Sequence, residues 1–279
     1  MPSDRLPRDP VDLQHELERA VERSEFGLEY QPIIDLQTGA IAAVEALLRW
    51  RHPLLGTIAP GDYLPLAEET GLIVPIGDWV LETASRQLRT WHLGFARMQS
   101  LALNVNVATQ QLADIGFVRR VERILDAAEV SPLSLTFELG PGSGAHLEAA
   151  VELRDLGVNL ALEDFGTGTT LDDVRRIPVG TVKLHAGIVA LTAGGDEDVV
   201  FAEALLSIAH TRALGSIGKG VETRDQARRL AALGCDLGQG FLYSKPLGPE
   251  GIGTLLARGR VSFGAPPRVG APVLVRQRA

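Results

Sequence analysis

The chain has 279 residues, 45% of them hydrophobic and 22% charged, with 35 acidic against 27 basic side chains and a net charge of −8. That length suits one barrel-sized domain or two smaller ones around a sizeable core, and the composition excludes a disordered chain. The acidic balance argues against a general DNA or RNA binder, which needs a positive surface to neutralise phosphates.

No apolar run reaches the roughly 20 residues of a membrane span, and the opening MPSDRLPRDP lacks the apolar core of a signal peptide, so the chain reads as cytoplasmic with no membrane partner. One cysteine, Cys235, excludes an intrachain disulfide and a cysteine-cluster metal site. Only three of the 27 basic residues are lysines, Lys183, Lys219 and Lys245. In a chain that otherwise uses arginine, each marks a place where a compact ammonium is wanted.

Residues 1–11 read as an N-terminal extension. The stretch VDLQHELERAVERSEF then spaces Leu13, Leu17 and Val21 four apart, which predicts an amphipathic helix. Strand GLEYQPIID, a turn at QTG and strand AIAAVEALLRW follow and are close enough to pair as a hairpin. Helices then alternate with strands. GDWVLETASRQLRTW precedes LALNVNV, FVRRVERILDAAE precedes LSLTFEL, and HLEAAVELRDL precedes VNLALEDF. Strand TVKLH, helix VVFAEALLSIAHTRAL, strand SIGKGV, helix RDQARRLAAL, strand GQGFLYS and a helix in GPEGIGTLLAR complete the pattern. About eight strand units with intervening helices predict an α/β barrel rather than an open sheet. Residues 258–279 carry several prolines and Arg260, Arg268, Arg276 and Arg278 with no acid, and read as a flexible basic tail.

In such a barrel the functional face lies at the carboxyl ends of the strands. The residues there are Glu45, Asn106, Glu138, Glu163, Asp164, Lys183 and Lys219. Four carboxylates closing three apolar strands are costly unless paired or metal-bound, which points to a Mg²⁺ or Mn²⁺ site. The segment GPGSGA, residues 140–145, superficially resembles a dinucleotide-binding fingerprint. It fails because its third glycine comes one position early and Pro141 removes a backbone donor.

The motifs YQPIIDLQTG, VEALLRWRHPLLGTIAP, LPLAEETGLIVPIGDWVLE, NVATQQL, EDFGTGTT, GVET and GCDLGQGFLYSKPL, in this order, resemble the EAL domain family of cyclic di-GMP phosphodiesterases over about residues 12–257. The resemblance implies a modified (β/α)8 TIM-type barrel with an antiparallel first strand, and bacterial signalling through cyclic di-GMP. It implies hydrolysis of one phosphodiester to linear pGpG with Mg²⁺ or Mn²⁺. On this basis Glu45, Asn106, Glu138, Glu163 and Asp164 correspond to metal ligands and Lys183 to the lysine that orients the attacking water. Gln31, Arg49 and Gln239 correspond to contacts with ligand guanine or phosphate.

Several positions depart from the family pattern. Lys219 replaces the first glutamate of the EGVE motif, a charge reversal at the second metal. Glu163 replaces an aspartate and adds a methylene. Gly140-Pro141 replaces the Thr-Glu that helps anchor the loop after the acidic pair, itself one residue short, which weakens the homodimer the family forms near that loop. His185 and Ala186 stand for an aspartate and an arginine. The first metal site survives these changes and the second does not, with Lys219 free to pair with Glu163 or Asp164 as an internal cation. The sequence therefore predicts a degenerate member, inactive or very weak, that binds cyclic di-GMP or serves as a regulatory module. The alternatives are an active phosphodiesterase and a protein-interaction module that does not take the nucleotide.

Overall fold

The computed structural model describes residues 10–261 other than 170 and 195, so most of the predicted N-terminal extension and of the basic tail lies outside the described residues. In chain order the elements are α1 Pro10–Glu22, β1 Phe26–Asp35, β2 Ile41–His52, β3 Gly56–Ile58, α2 Pro60–Glu69, α3 Ile73–Gly94, β4 Ala102–Val107, α4 Thr109–Ala113, α5 Phe117–Ala128 and β5 Leu135–Leu139. They continue with α6 Leu147–Leu156, β6 Asn159–Phe165, α7 Leu171–Arg176, β7 Thr181–Leu184, α8 Ala186–Leu191, α9 Asp196–Thr211, β8 Gly215–Lys219, α10 Arg224–Ala232, β9 Leu237–Gln239 and α11 Pro249–Arg258.

The sheet runs β1-β9-β8-β7-β6-β5-β4-β2-β3, and β1 also pairs with β2, which closes an eight-stranded barrel with β3 appended outside the ring. β1 is antiparallel to both of its neighbours, β2 and β9, whereas the pairs from β2 through β4 round to β9 are parallel. The expected hairpin and reversed first strand are thus present. The hairpin is long, nine residue pairs from Phe26↔Trp50 to Ile34↔Ile41, because a short QTG turn fixes its register. At the far end of the described residues, Arg260 bridges to Ala40 and the Val261 N–H donates to Gly39, so the backbone there runs back to that turn.

The large core lies between barrel and helices and includes Trp50, Tyr63, Phe117, Phe137 and Phe165. A separate small cluster of Ile33, Ala43 and Ile217, with Ala102 and Leu237 against it, belongs to the barrel strands themselves. Strand side chains alternate with period two. Two residues further along the same faces come Gln31, Glu45, Asn104, Lys219 and Gln239. The lumen is therefore apolar at one level and polar at the next.

One predicted element differs. GQGFLYS is strand only as far as Gln239, and residues 241–243 form a turn. The cause is Gly240, where an added Cβ would lie 2.1 Å from the Val221 carbonyl oxygen and 2.3 Å from its nitrogen. Backbone meets backbone there, with Val221 N–H donating to Gln239 and Leu242 N–H to Val221, and the chain leaves the barrel, carrying Phe241 into solvent. We expect Gly240→Ala to cost about 3 kcal/mol, the upper end of an overpacking penalty, measured as a shift in the urea midpoint with an unchanged slope.

Helix α2 and the short α4, α7 and α8 are absent from the sequence-based pattern. α4, α7 and α8, with 5, 6 and 6 residues, are too short to repeat an apolar stripe, and α2 both starts at Pro60 and contains Pro65.

Candidate functional site

Each of the eight barrel strands contributes at least one polar residue to a single connected group, among them Gln31 from β1, Glu45 from β2, Asn106 from β4, Glu138 from β5, Glu163 from β6, Lys183 from β7, Lys219 from β8 and Gln239 from β9. Register makes Gln31↔Glu45, Asn106↔Glu138 and Lys219↔Gln239 direct partners.

Lys183 is at the centre and has no exposed surface. Its Nζ lies 3.0 Å from Glu45 Oε2, 2.7 Å from Glu138 Oε2 and 2.8 Å from Glu163 Oε1. Around this hub, Asn106 Nδ2 donates to Glu45 Oε1 at 2.8 Å, while Gln239 Nε2 donates to Glu45 Oε2 at 2.5 Å and to Gln31 Oε1 at 3.1 Å. Gln31 Nε2 in turn donates to the Ser244 carbonyl at 3.0 Å, tying the group to the YSKPL segment.

Glu163 reaches two ammoniums at once. Its second oxygen accepts from Lys219 Nζ at 2.7 Å, and Lys219 is also 3.8 Å from Asp164 Oδ1. The expected internal cation is therefore in place, and the extra methylene of glutamate lets one carboxylate span both lysines. Asp164 itself is turned aside by a left-handed backbone, φ 53°, at a break in the β6–β7 register. Its carbonyl accepts from the Thr167 and Gly168 N–H groups and starts the GTG loop. Pro141, standing where the family pattern has an acid, packs against that loop: a Cβ on Gly168 would be 3.0 Å from the proline ring.

The charges of the cluster shift one another. Burial raises Glu138, the neighbouring charge of Glu45 raises it further, and although Lys183 opposes both, the carboxyl is pushed up to about 8. Burial also works to raise Glu163, but Lys183 and Lys219 override it and hold that carboxyl at about 2. For Glu45 burial is likewise outweighed, first by Lys183, and its value is lowered. Lys183 and Lys219 are both raised, their carboxylate partners overcoming burial. Glu45, Glu138 and Glu163 thus share two ammoniums, Lys183 and Lys219.

These shifts set the acid stability. Because Glu163 lies below its ordinary 4.5, the stability from its ionised form is complete above about pH 4.5 and is lost as pH falls towards 2. Its size is on the order of 3 kcal/mol. Glu138 works oppositely, favouring the fold below about 4.5 and losing that advantage as pH rises through 8. Glu163→Gln should flatten the loss of stability between pH 4.5 and 2, a change visible in urea unfolding at a series of pH values.

The donor set can be tested against a divalent cation. Single oxygens of Glu45, Glu138 and Glu163 all lie within 4.8 Å of one another. Gln239 Oε1 is a buried acceptor with no hydrogen-bond donor. The hard oxygens that converge around Lys183 fit one Mg²⁺- or Mn²⁺-like ion taking donors from Glu45, Asn106, Glu138 and Glu163. A second ion beside Asp164 does not fit, because the Lys219 ammonium occupies that side of Glu163.

A cleft of about 480 Å³ opens beside this group, lined by Asn106, Glu138, Glu163 and Asp164 at one end and by Leu48, Leu64, Ile73 and Ile76 along an apolar wall. Its size suits a small molecule with polar and aromatic parts. Arg49 lines the cleft but stands apart from the carboxylate cluster, its Nε donating to Glu29 Oε2 at 2.8 Å and its Nη1 to the Leu48 carbonyl. Two supporting residues were not singled out from the sequence: Glu29, which fixes Arg49, and Asn104, whose Nδ2 donates to Glu138 Oε1 at 2.8 Å. Asn104 was legible in principle as a polar residue two before Asn106, on the same strand face.

A family model described as EAL domain matches residues 14–246. The chain belongs to the EAL domain family. Among relatives of this EAL domain is the bifunctional diguanylate cyclase/cyclic di-GMP phosphodiesterase MucR of Pseudomonas aeruginosa, 37% identical over 249 residues that cover 87% of this chain and 36% of MucR. Another is the cyclic di-GMP phosphodiesterase PA2567 of the same organism, 34% identical over 264 residues, 92% of this chain and 44% of that protein. The chain thus spans less than half the length of these two curated relatives. A solved structure of the PaMucR phosphodiesterase in complex with c-di-GMP is similar with a TM-score of 0.81 at 37% identity, covering 86% of this EAL domain and 99% of that chain. Among the described residues no helix is long and apolar enough to cross a membrane.

Proposed function

We propose that this EAL domain binds cyclic di-GMP in the cleft at the carboxyl ends of its strands and is inactive or very weak as a phosphodiesterase. The observation that carries the reading is Lys219, whose ammonium sits 2.7 Å from Glu163 where metal-dependent hydrolysis in the family uses a carboxylate. At about 4 Å and an effective dielectric near 20, two unit charges interact by about 4 kcal/mol, and a divalent ion doubles the charge product. A second cation beside Lys219 is disfavoured on that scale. A divalent ion held by Glu45, Asn106, Glu138 and Glu163 would polarise a phosphoryl oxygen and acidify a bound water.

The remaining residues act on the ligand directly. Arg49, already held by Glu29, offers a charged fork to a phosphate or a guanine edge. Gln31 and Gln239 offer amide groups from β1 and β9. Lys219, with 37% of its side chain exposed, supplies positive charge next to the position of the phosphodiester. Binding of the intact dinucleotide therefore does not require a full metal complement. Titration calorimetry with cyclic di-GMP, with Mn²⁺ and with EDTA, tests this: heat of binding is expected in both, and no heat at high protein concentration in either would sink the receptor reading.

The active-enzyme reading keeps one specific support. Lys183 and the four donors of the first cation site are all present and in mutual contact. Under that reading the wild-type protein already turns over cyclic di-GMP, and Lys219→Glu raises that rate strongly.

A further inference from the structure

The carboxylate Glu138 is 1% exposed and is gripped from two sides: Lys183 Nζ on Oε2 at 2.7 Å and Asn104 Nδ2 on Oε1 at 2.8 Å. Asn104 is itself 2% exposed. On β4 it lies two residues before Asn106, so both amides project from the same strand face, Asn106 towards Glu45 and Asn104 towards Glu138. In register Asn104 pairs with Glu45 on β2 and with Thr136 on β5, while Asn106 pairs with Glu138, which sets Asn104 one layer further from the rim. Its level adjoins the apolar floor formed with Ile33, Ala43, Ala102 and Ile217. A buried polar side chain at such a boundary is expensive unless it makes a hydrogen bond, and here the bond goes to a carboxylate of the candidate cation site.

We propose that Asn104 is a positioning residue for divalent-cation binding: its amide holds the Glu138 carboxylate in the plane and depth at which it joins Glu45 and Glu163 around one ion. The inference rests on the reading of Glu45, Asn106, Glu138 and Glu163 as that site. Three carboxylate oxygens converge within 4.8 Å, and Glu138 takes a neutral amide donor, Asn104, from the neighbouring strand β4. Such supporting hydrogen bonds tune metal sites because a ligand free to rotate must be ordered when the ion arrives. Without the amide, Glu138 Oε1 is left without that donor in a space closed to water, and the carboxylate turns to satisfy it elsewhere.

The test is Mn²⁺ binding to the full chain by titration calorimetry, with the electron paramagnetic resonance spectrum of the bound ion as second readout. Asn104→Leu keeps the volume and removes the donor; Asn104→Ala serves if the leucine variant does not fold. Either is expected to weaken Mn²⁺ binding about 10- to 100-fold and to change the spectrum, with the protein still folded by circular dichroism. A purely structural asparagine would lower the melting temperature in EDTA but leave Mn²⁺ affinity and spectrum as in the wild type, and that result overturns the proposal alone. If the wild-type protein binds no Mn²⁺, the cation site itself falls and the proposal with it.

Discussion

Lys219→Glu should raise Mn²⁺-dependent cleavage of cyclic di-GMP by at least about 100-fold. The substitution replaces an ammonium 2.7 Å from Glu163 by a carboxylate, so a repulsive charge near the cation becomes an attractive one. On the scale of about 4 kcal/mol per unit charge product at short range, even a heavily screened change of this kind is worth two factors of ten. It also frees Glu163 from one of its two partners. Because that carboxylate is a methylene longer than the family's aspartate, Lys219→Glu combined with Glu163→Asp should do better than either alone, with coupling between the two substitutions. Single-turnover formation of linear pGpG measures it. A rate unchanged by Lys219→Glu would place the lesion elsewhere, in Glu163 or in the loop that Pro141 packs against.

The second large effect concerns Lys183. It is the common partner of Glu45, Glu138 and Glu163 and is wholly buried. Removing one member of a buried ionic group leaves the others uncompensated, at a cost of about 3–5 kcal/mol. Lys183→Met should therefore lower the unfolding free energy by that amount in EDTA, read from urea denaturation. Three carboxylates left without their ammonium are also a stronger cation trap. The variant should accordingly recover more stability on addition of Mn²⁺ than the wild type does, since a ligand of the folded state stabilises it by mass action. In the Lys219→Glu background the same change should abolish the gained turnover. A variant as stable as wild type in EDTA would show that Lys183 is not the hub of the cluster.

Much of this was legible in the sequence because a barrel maps strand ends onto one face. Their places closing apolar strands, together with the EAL-type motifs, marked Glu45, Asn106, Glu138, Glu163 and Lys183 in the sequence, and they do meet. The charge reversal at Lys219 offered two acidic partners in the sequence, Glu163 and Asp164, and of these Glu163 is the nearer at 2.7 Å. What could not be read was depth. Asn104 and Asn106 look alike in LALNVNV, and only the register with β5 shows that one pairs with Glu138 across the strands while the other supports its side chain from below. The end of β9 was hidden as well. FLYS has the apolar and aromatic character of a strand, but Gly240 lies so close to the Val221 backbone that the chain must turn away. Likewise, nothing local in LEYQP links Glu29 to Arg49, which meet across the hairpin twenty residues apart.

The central claim is that one ammonium, Lys219, separates recognition of the dinucleotide from its hydrolysis. The most direct measurement mixes wild-type protein with cyclic di-GMP and Mn²⁺, records binding by calorimetry, and resolves the nucleotides by chromatography from the same sample. The account predicts a bound and intact cyclic dinucleotide. Conversion to linear pGpG at about one turnover per second or faster, an ordinary enzymatic rate, would contradict it.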